Sequence, residues 1–600
     1  MGSSRPYRKL PFLDSIRLLE LTQDEKKGSI CGHLILSKLE DTPCFAALSY
    51  VWGDSSPQDP LFAVDGFELR IRQSLNHALG TLLSGDDKRL LWIDQICIDQ
   101  ENITEREHQV TLMSKIFKQA QQVICWLGPD DEHTGHAFDL STVLAIDGPG
   151  LEFWKEPMQR LMQAGLVRHM LDLFNPTGIP FSALVALVKN PWFGRLWIVQ
   201  EVALASKIEF RCGGATIDGD MFFTTIRRMS SALQNPPEPL LLEPFRHAIR
   251  LGQLRAQVTS DIRCSYPHLA HSFSTWDCKK SHDRLNALFG LAFPYDSNSA
   301  WFQPGYSITG PELYIRFAKG YINETDSLDI LHFSGCGDSE NYSLYYIAGT
   351  PVLEPRPPAD DVSSWAPDWR VQSRPLVLLP DPGYNVKSQF AATLSKADYF
   401  FDDDNQRLHV RALLVDQIAG CGWPYYLSLC QDLQMTENEI FEHWYELAKE
   451  HLDSNTFETM FSSTLVMDAR VTLTERGSLN VNQDEIPTLF EHWKKVVGKS
   501  SEPCIPNDAL QSIEGFARYR YVAEEVCRNR VMFITVKGRL GLGSTHASPG
   551  ADIYLLHGLK TPFVVFENQK GHTLRGECYV HGLMDQQAHI SDSDVYLNLI

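Results

Sequence analysis

The run LLWIDQICI, Leu90–Ile98, is apolar at nearly every position, which is typical of a β-strand buried on both faces. Cys44–Asp54 (CFAALSYVWGD) is a similar run that precedes it, and Gln122–Leu127 (QVICWL) is a third run that follows it. A helix is predicted to begin at Asn102, because Glu105 follows at the spacing of a capping box. Strands that alternate with helices in this way predict a parallel sheet flanked by helices.

The rest of the chain divides by its local composition. Residues 10–215 are predicted to form the α/β N-terminal domain, and residues 216–349 a mainly helical middle region. Residues 350–397 begin with the Pro-rich run TPVLEPRPPADD, which is typical of a linker, and contain the segment SSWAPDWR. Residues 398–600 are predicted to be β-rich at both ends, with helices over 432–526 between them.

The overall charge and the cysteine pattern limit the class of protein. The 600 residues include 75 acidic and 54 basic ones, a net charge of -21, which disfavours nucleic acid as a partner because phosphate binding needs clustered Lys and Arg. The 13 cysteines show no CxxC pair, which favours a reducing compartment. No secretory signal and no apolar run of about 18 residues is present, so we expect a cytoplasmic protein that does not enter a membrane.

Three blocks, in this order and spacing, resemble the heterokaryon-incompatibility (HET) domain family of filamentous fungi. They are ALSYVWGD (Ala47–Asp54), the segment Leu91–Pro129, and NPWFGRLWIVQEVALA (Asn190–Ala205). Later segments also look like parts of long family members: SHDRLNALFGLA, SSWAPDWR, RVMFITVKGRLGLGS and GECYVHGLMD. The resemblance implies a protein of fungal allorecognition, which promotes programmed cell death when unlike hyphae fuse. Its implied partners are other incompatibility or signalling proteins, or further copies of itself in a homo-oligomer.

The core domain of that family is distantly similar to the Toll/interleukin receptor (TIR) domain, so the resemblance implies a TIR-like fold. Some TIR domains cleave NAD with a glutamate in a W-x-x-x-E context, and Trp197 and Glu201 have that spacing. The resemblance therefore implies Glu201 as a catalytic carboxylate and NAD as a substrate rather than a resident cofactor. A nearby carboxylate stabilises the oxocarbenium-like state in which the nicotinamide–ribose bond breaks.

The residues around Glu201 also allow a purely structural interpretation. A helix predicted from Asn190 to Ser206 is apolar nearly all round, so Glu201 is expected to be buried and therefore paired, protonated or held for catalysis. Arg195 falls on another side of that predicted helix, so the expected partner for a neutralised Glu201 is Arg106. A structural carboxylate bonded to backbone N–H groups or to an arginine remains the alternative.

Further candidate residues lie at predicted strand ends, where open α/β sheets bind their ligands. The candidates for substrate binding are Ser49, Tyr50, Trp52, Gly53, Asp54, Asp94, Asp99 and Trp197. The alternative is that the tryptophans belong to the core and that the aspartates cap loops and helices.

Two classes of function remain open from the sequence, an NAD glycohydrolase and a non-enzymatic module that assembles or recruits partners. A third option is a diverged role in another pathway. The cysteines and histidines at Cys264, His268, His271, Cys278 and His282 do not have zinc-site spacing, so no metal is predicted. No resident cofactor is predicted either, and the sequence leaves open whether the chain is an enzyme.

Overall fold

The structure is a computed structural model of the chain. It describes residues 6–23, 30–83, 89–130, 134–145, 179–232, 245–262, 264–291, 302–335, 342–347, 350–355, 361–372, 374–380, 386–388, 390–393, 395–402, 406–425, 436–473, 481–497, 510–585 and 594–600. Within these ranges no helix combines the length and the apolar character that crossing a membrane requires.

Nine strands of the described chain form one N-terminal sheet, in the order β5-β4-β2-β1-β6-β3-β7-β8-β9. Their bounds are β1 Ser15–Gln23, β2 Ile30–Lys38, β3 Ala46–Tyr50, β4 Leu61–Val64, β5 Phe67–Arg70, β6 Arg89–Trp92, β7 Gln122–Gly128, β8 Ile208–Cys212 and β9 Ala215–Asp218. The four central strands β6, β3, β7 and β8 are parallel. The carboxyl ends of these strands meet at one edge of the sheet.

The prediction of a parallel sheet is correct for this centre and wrong for its flanks. Strands β1 and β2 are antiparallel to each other, and so are β4 and β5, and β8 and β9. Short turns join the last two pairs, and a two-residue turn connects only antiparallel neighbours. Asp65 and Gly66 both take positive φ, at 52° and 81°, as a primed hairpin turn requires. The sheet is therefore mixed.

Helices cover the faces of this sheet. They are α1 Gln73–Leu82, α2 Asp94–Cys97, α3 Ile103–Gln119, α4 Thr134–Ala145, α5 Ile179–Val188, α6 Ile198–Ala203 and α7 Gly219–Ala232. Helix α3 begins as predicted, because the Asn102 side chain accepts a hydrogen bond from the backbone N–H of Glu105 at 3.2 Å. The Glu105 carboxylate instead forms a buried ion pair with Arg17 of β1, at 2.5 Å. This pair ties α3 to the sheet.

The middle region packs on the same hydrophobic core as the N-terminal sheet. Its helices are α8 Arg246–Thr259, α9 Tyr266–Ser272, α10 Asp283–Asn286 and α11 Gly310–Thr325, followed by the hairpin of β10 Tyr342–Ile347 and β11 Thr350–Pro355. Arg255 of α8 donates hydrogen bonds to the carbonyl oxygens of Val202 and Ala205, at 3.0 and 2.6 Å. The middle region thereby caps the C-terminal end of α6, the helix that carries Glu201.

The C-terminal region combines a helical layer with a second large sheet. Its elements are β12 Val386–Ser388, β13 Tyr399–Phe401, β14 Leu408–Tyr425, α12 Glu437–His451, α13 Phe457–Leu465, β15 Val471–Leu473, α14 Ile486–Val497, α15 Leu510–Cys527, β16 Arg530–Thr535, β17 Leu540–Ser544, β18 Asp552–Leu556, β19 Pro562–Asn568, β20 Gly571–Glu577, β21 Tyr579–Val580 and β22 Val595–Leu599. Strand β14 pairs with β16, β18 and β22 along different parts of its length. These pairings close β18, β19, β20, β22 and β14 into a ring.

A buried polar cluster joins the middle region to this ring. His332 Nδ1 lies 2.5 Å from Glu577 Oε2, and both side chains are almost fully buried. The backbone N–H of Leu378 donates to Glu577 Oε1 at 2.7 Å, and Thr561 Oγ1 donates to Glu577 Oε2 at 3.3 Å. One carboxylate thus holds three segments of the chain together.

Candidate active site

The segment that carries Glu201 is broken into two short helices. A 3-10 turn covers Pro191–Gly194, Arg195 is extended at φ −80° and ψ 131°, and α6 covers only Ile198–Ala203. The prediction of one helix from Asn190 to Ser206 is therefore wrong. The physical cause lies outside the segment.

A backbone bridge to the middle region interrupts the helix around Arg195. The N–H of Leu196 donates to the carbonyl of Asp277 at 2.9 Å, and the N–H of Asp277 donates to the carbonyl of Gly194 at 2.7 Å. These bonds use backbone groups that a continuous helix would need for itself. They leave Arg195 outside any helix, so its side chain reaches a different place from the one that helical spacing predicts.

Glu201 is buried, with 5% of its surface exposed. Burial raises the pKa of its carboxyl to about 7, with a further rise from the charge of Asp94, whereas Arg195 and a hydrogen bond from Ser49 lower it. The Oε2 atom of Glu201 has no hydrogen-bond partner in the described chain. A carboxyl whose pKa lies near neutral pH and whose oxygen is unused is suited to acid–base work.

Arg195, and not Arg106 as expected, is the cation that acts on Glu201. Its guanidinium donates to the carbonyl of Tyr50, and its charge lowers the pKa of the Glu201 carboxyl, which burial raises. Arg106 instead donates to the carbonyl of Gln100 at 3.4 Å. The positive charge at the site therefore comes from the same segment as the carboxylate.

Asp94 lies directly after β6, at the strand edge where the sequence predicts a ligand site. Its Oδ2 atom accepts a hydrogen bond from Trp52 Nε1 at 2.9 Å. Burial raises the pKa of the Asp94 carboxyl, and the charge of Arg195 is the largest effect that opposes the rise. The structure thus brings Trp52, Asp94, Arg195 and Glu201 together, although they come from three separate segments.

Ser49 connects Glu201 to Trp192, a side chain that the sequence analysis did not single out. Its Oγ accepts a hydrogen bond from Trp192 Nε1 at 2.9 Å, and its hydroxyl is the group that hydrogen-bonds Glu201. Cys125 stands opposite Ser49 in the β3–β7 register, and burial raises the pKa of its thiol well above the usual value. Trp192 lies within a block that resembles the family, but nothing in its spacing indicates a contact with Ser49.

The remaining strand-end candidates lie in different surroundings. Tyr50 is buried and donates from its hydroxyl to Gln95 Oε1 at 3.1 Å. Gly53 and Asp54 are exposed in the loop after β3, and no hydrogen bond or ion pair of the described residues joins either one to Glu201. Asp99 accepts from the backbone N–H of Glu101, and its own N–H donates to Glu105, on the side of the Arg17–Glu105 pair.

Trp197 contacts the middle region. Its indole hydrogen-bonds Asp283, whose Oδ1 also accepts from the hydroxyl of Tyr306 at 2.6 Å. Asp283 is part of the segment SHDRLNALFGLA, so the family resemblance marked its neighbourhood without assigning it a role. Residues beyond the N-terminal domain therefore reach the site.

The groups that meet at this site suit acid–base chemistry. Two buried carboxyls, one guanidinium and two tryptophans meet at the strand ends, which allows charge stabilisation and proton transfer. In the part of the chain that the structure describes, no three side chains of the metal-binding types converge. His268 hydrogen-bonds Ser265 and the carbonyl of Leu379, and His282 the carbonyl of Ile308.

Comparison with known proteins places this site within a family. The family model described as "Heterokaryon incompatibility protein (HET)" matches residues 45–201, the span from β3 to Glu201. The chain therefore carries a HET domain. A second model, the Het-6 β-barrel domain, matches residues 509–597.

A curated relative extends the likeness over nearly the whole HET protein. Heterokaryon incompatibility protein 6, OR allele, of Neurospora crassa is 22% identical over 640 aligned residues, which cover 90% of this chain and 89% of the relative. No solved structure matches. The TIR-like character of the HET domain stays a prediction.

The structure shows how the matched spans relate to folded units. The HET match ends at Glu201, but the sheet of that domain continues through β8 and β9 to Asp218. The Het-6 match begins one residue before α15, yet the ring of strands in that region is closed by β14, which precedes it in the chain. Both folded units are thus larger than their family matches.

Proposed function

We propose that this HET protein acts in the cytoplasm in fungal allorecognition, and that it promotes programmed cell death by cleaving NAD. The observation that supports this most is Glu201, a buried carboxyl with a pKa raised to about 7 and an unused oxygen. It lies beside the Arg195 cation and at the strand-end edge, where α/β sheets bind ligands. Membership of the HET family supports the biological setting.

The proposed reaction is hydrolysis of the bond between nicotinamide and ribose. The C–N bond breaks with its electron pair passing to the pyridinium ring, so nicotinamide leaves as a neutral molecule and the ribose carbon becomes oxocarbenium-like. The ionised Glu201 stabilises that carbon. Water then attacks it, and its proton passes to Glu201, which releases it to solvent. The products are nicotinamide, ADP-ribose and one proton.

Other residues of the site have distinct roles in this proposal. Ser49 donates to Glu201 and favours its ionised form, which is the form that the reaction needs. Asp94 and Trp52, joined by their 2.9 Å hydrogen bond, form the opposite side of the substrate site. Tyr50 and Trp197 complete its walls.

The test is NAD loss and nicotinamide release by the purified full-length chain and its Glu201→Gln variant. We expect the variant to lose at least about a hundredfold in rate, the usual scale for a group that acts directly in the chemistry. Glu209→Gln on β8 is the matched control, because Glu209 pairs with Arg211 rather than with the site. The same variants are expressed in a fungal host, where only those that cleave NAD are expected to kill.

A non-enzymatic module that assembles or recruits partners is the alternative, and one surface favours it. Phe400 on β13 and Tyr596 on β22 are about half exposed, and their ring centroids lie 5.5 Å apart. Exposed apolar patches are typical of interaction surfaces. If expression kills cells while NAD stays constant, and Phe400→Ser abolishes both killing and self-association, the assembly function replaces the enzymatic one.

A further inference from the structure

The indole of Trp197 is held by the middle region, not by the HET domain. Its N–H donates to Asp283, and the hydroxyl of Tyr306 donates to the same carboxyl at 2.6 Å. Asp283 is 6% exposed, so this carboxyl is largely removed from solvent competition. A single buried acceptor therefore fixes the orientation of two aromatic rings.

The Tyr306 ring also contacts two residues of the segment that precedes α10. Lys280 Nζ lies 4.2 Å from the ring centroid, and the ring of His282 lies 5.3 Å from it. Both residues belong to the segment that leads into α10, so one stretch of the middle region supports the tyrosine. Contacts therefore run from Lys280 through Tyr306 and Asp283 to Trp197.

Trp197 and Glu201 are neighbours on one face of the segment, since residues four apart on a helix lie one turn above each other. Trp197 is helical at φ −63° and ψ −31°, although α6 proper begins one residue later. Its side chain is half-buried, whereas Glu201 is buried. The tryptophan ring therefore lies on the outer side of the carboxyl.

The backbone of the same segment is also held from the middle region. Asp277 bridges Gly194 and Leu196 through two backbone hydrogen bonds, which place Arg195 between them. The cation and the aromatic ring beside Glu201 are thus both fixed by residues outside the matched span 45–201. A complete site needs both regions.

We propose that Asp283 and Tyr306 are substrate-positioning residues of the Glu201 site, which hold the Trp197 ring against the planar nicotinamide ring of the dinucleotide. This inference rests on the proposed cleavage of NAD. A ring that is already oriented costs less conformational entropy when the substrate binds. Loss of the restraint is therefore expected to weaken substrate binding more than it slows the bond-breaking step.

The experiment compares Tyr306→Phe with Tyr314→Phe in the full-length chain. Tyr314 also loses a buried hydroxyl in the middle region, but its hydroxyl donates to the carbonyl of Ser281 and not to Asp283. Both variants therefore remove the same chemical group, and only Tyr306→Phe removes a donor from the carboxyl that Trp197 hydrogen-bonds. Asp283→Asn is a second variant that removes the charge while it keeps the shape of the acceptor.

Two measurements separate binding from chemistry. In the Glu201→Gln background, the Kd for NAD by equilibrium dialysis is expected to rise about tenfold with Tyr306→Phe or Asp283→Asn, and less than about twofold with Tyr314→Phe. With Glu201 intact, KM rises by the same factor for the first two variants while kcat stays within about threefold.

Each result decides a different claim. If the wild type cleaves NAD and the two tyrosine variants have the same Kd and KM, the positioning role is wrong and the proposed function stands. If the Glu201→Gln chain does not bind NAD and the wild type does not cleave it, the proposed function fails and the positioning role fails with it.

Discussion

Arg255 Nη1 lies 2.6 Å from the carbonyl oxygen of Ala205, at the C-terminal end of the helix that carries Glu201. The same guanidinium contacts Asp220 of α7, so one arginine joins α6, α7 and α8. Because α6 has only six residues, it cannot stabilise itself as an isolated helix and depends on such contacts.

Arg255→Met is expected to destabilise the fold by about 2 kcal/mol, because it leaves buried carbonyl groups without donors. The measurement is the free energy of unfolding in urea. Arg227→Met on α7 is the control, since Arg227 is exposed. Equal losses for the two variants would show that the Arg255 contacts do not stabilise α6.

Glu201→Gln is expected to stabilise the protein, and to do so more at pH 8 than at pH 5. Burial raises the pKa of Glu201 from 4.5 to about 7, so between these pH values the folded chain binds more protons than the unfolded chain. Stability therefore falls as the pH rises through this window, and above it the charged form costs roughly 3 kcal/mol. Glutamine has no charge and avoids that cost.

Thermal unfolding of Glu201→Gln and the wild type at pH 5, 6, 7 and 8 tests this expectation. The difference in melting temperature should grow with pH and level off only towards pH 8, where Glu201 is nearly fully ionised. A difference that does not change with pH would mean that Glu201 keeps its ordinary pKa in the fold. This test is independent of any enzymatic activity.

Ser49→Ala is expected to move the pH dependence of NAD cleavage to higher pH by about one unit. The Ser49 hydroxyl lowers the pKa of Glu201 against the effect of burial, so its loss leaves a larger fraction protonated at pH 7. The ionised form is the reactive one, so the rate increases with pH around the pKa of Glu201. In the variant this increase is expected at a higher pH. If the rate of NAD cleavage falls at every pH while the midpoint of its pH dependence stays the same, this expectation is wrong.

Glu577→Ala is expected to cost about 3–5 kcal/mol of stability, because it leaves His332 and the N–H of Leu378 buried without an acceptor. Glu567→Ala on β19 is the control, since Glu567 is exposed. Chemical denaturation, followed separately by far-ultraviolet circular dichroism and tryptophan fluorescence, gives the measurement. An effect as small as that of the control would show that the cluster does not join the two regions.

Local signals predicted the core of the N-terminal domain, because they depend only on neighbouring residues. Apolar runs located β3, β6 and β7, although Asp94–Cys97 in the run Leu90–Ile98 is helical, and Asn102 with Glu105 located the start of α3. The antiparallel pairing of β1 with β6 was not predicted, since these two strands are distant in sequence. Burial of Glu201 followed from the apolar residues around it.

The position of Arg195 shows why the rest of the site was not predictable. Helical spacing placed it away from Glu201, and the backbone bonds to Asp277 that break the helix leave no trace in the segment itself. The same holds for Trp197, whose partner Asp283 belongs to another region. Contacts between distant segments decide these positions, and a single sequence does not show them.

Strand β14 has a consequence for how the protein is made. Tyr425 at its end pairs with Arg530, and Leu408 at its start pairs with Leu599, close to the last residue of the chain. During synthesis β14 leaves the ribosome well before its partners exist, and its unpaired edges resemble those that promote aggregation. Closure of long loops also slows folding. The C-terminal region is therefore expected to fold only after β22 has been synthesised, and chaperones that bind exposed strands are expected to influence its yield.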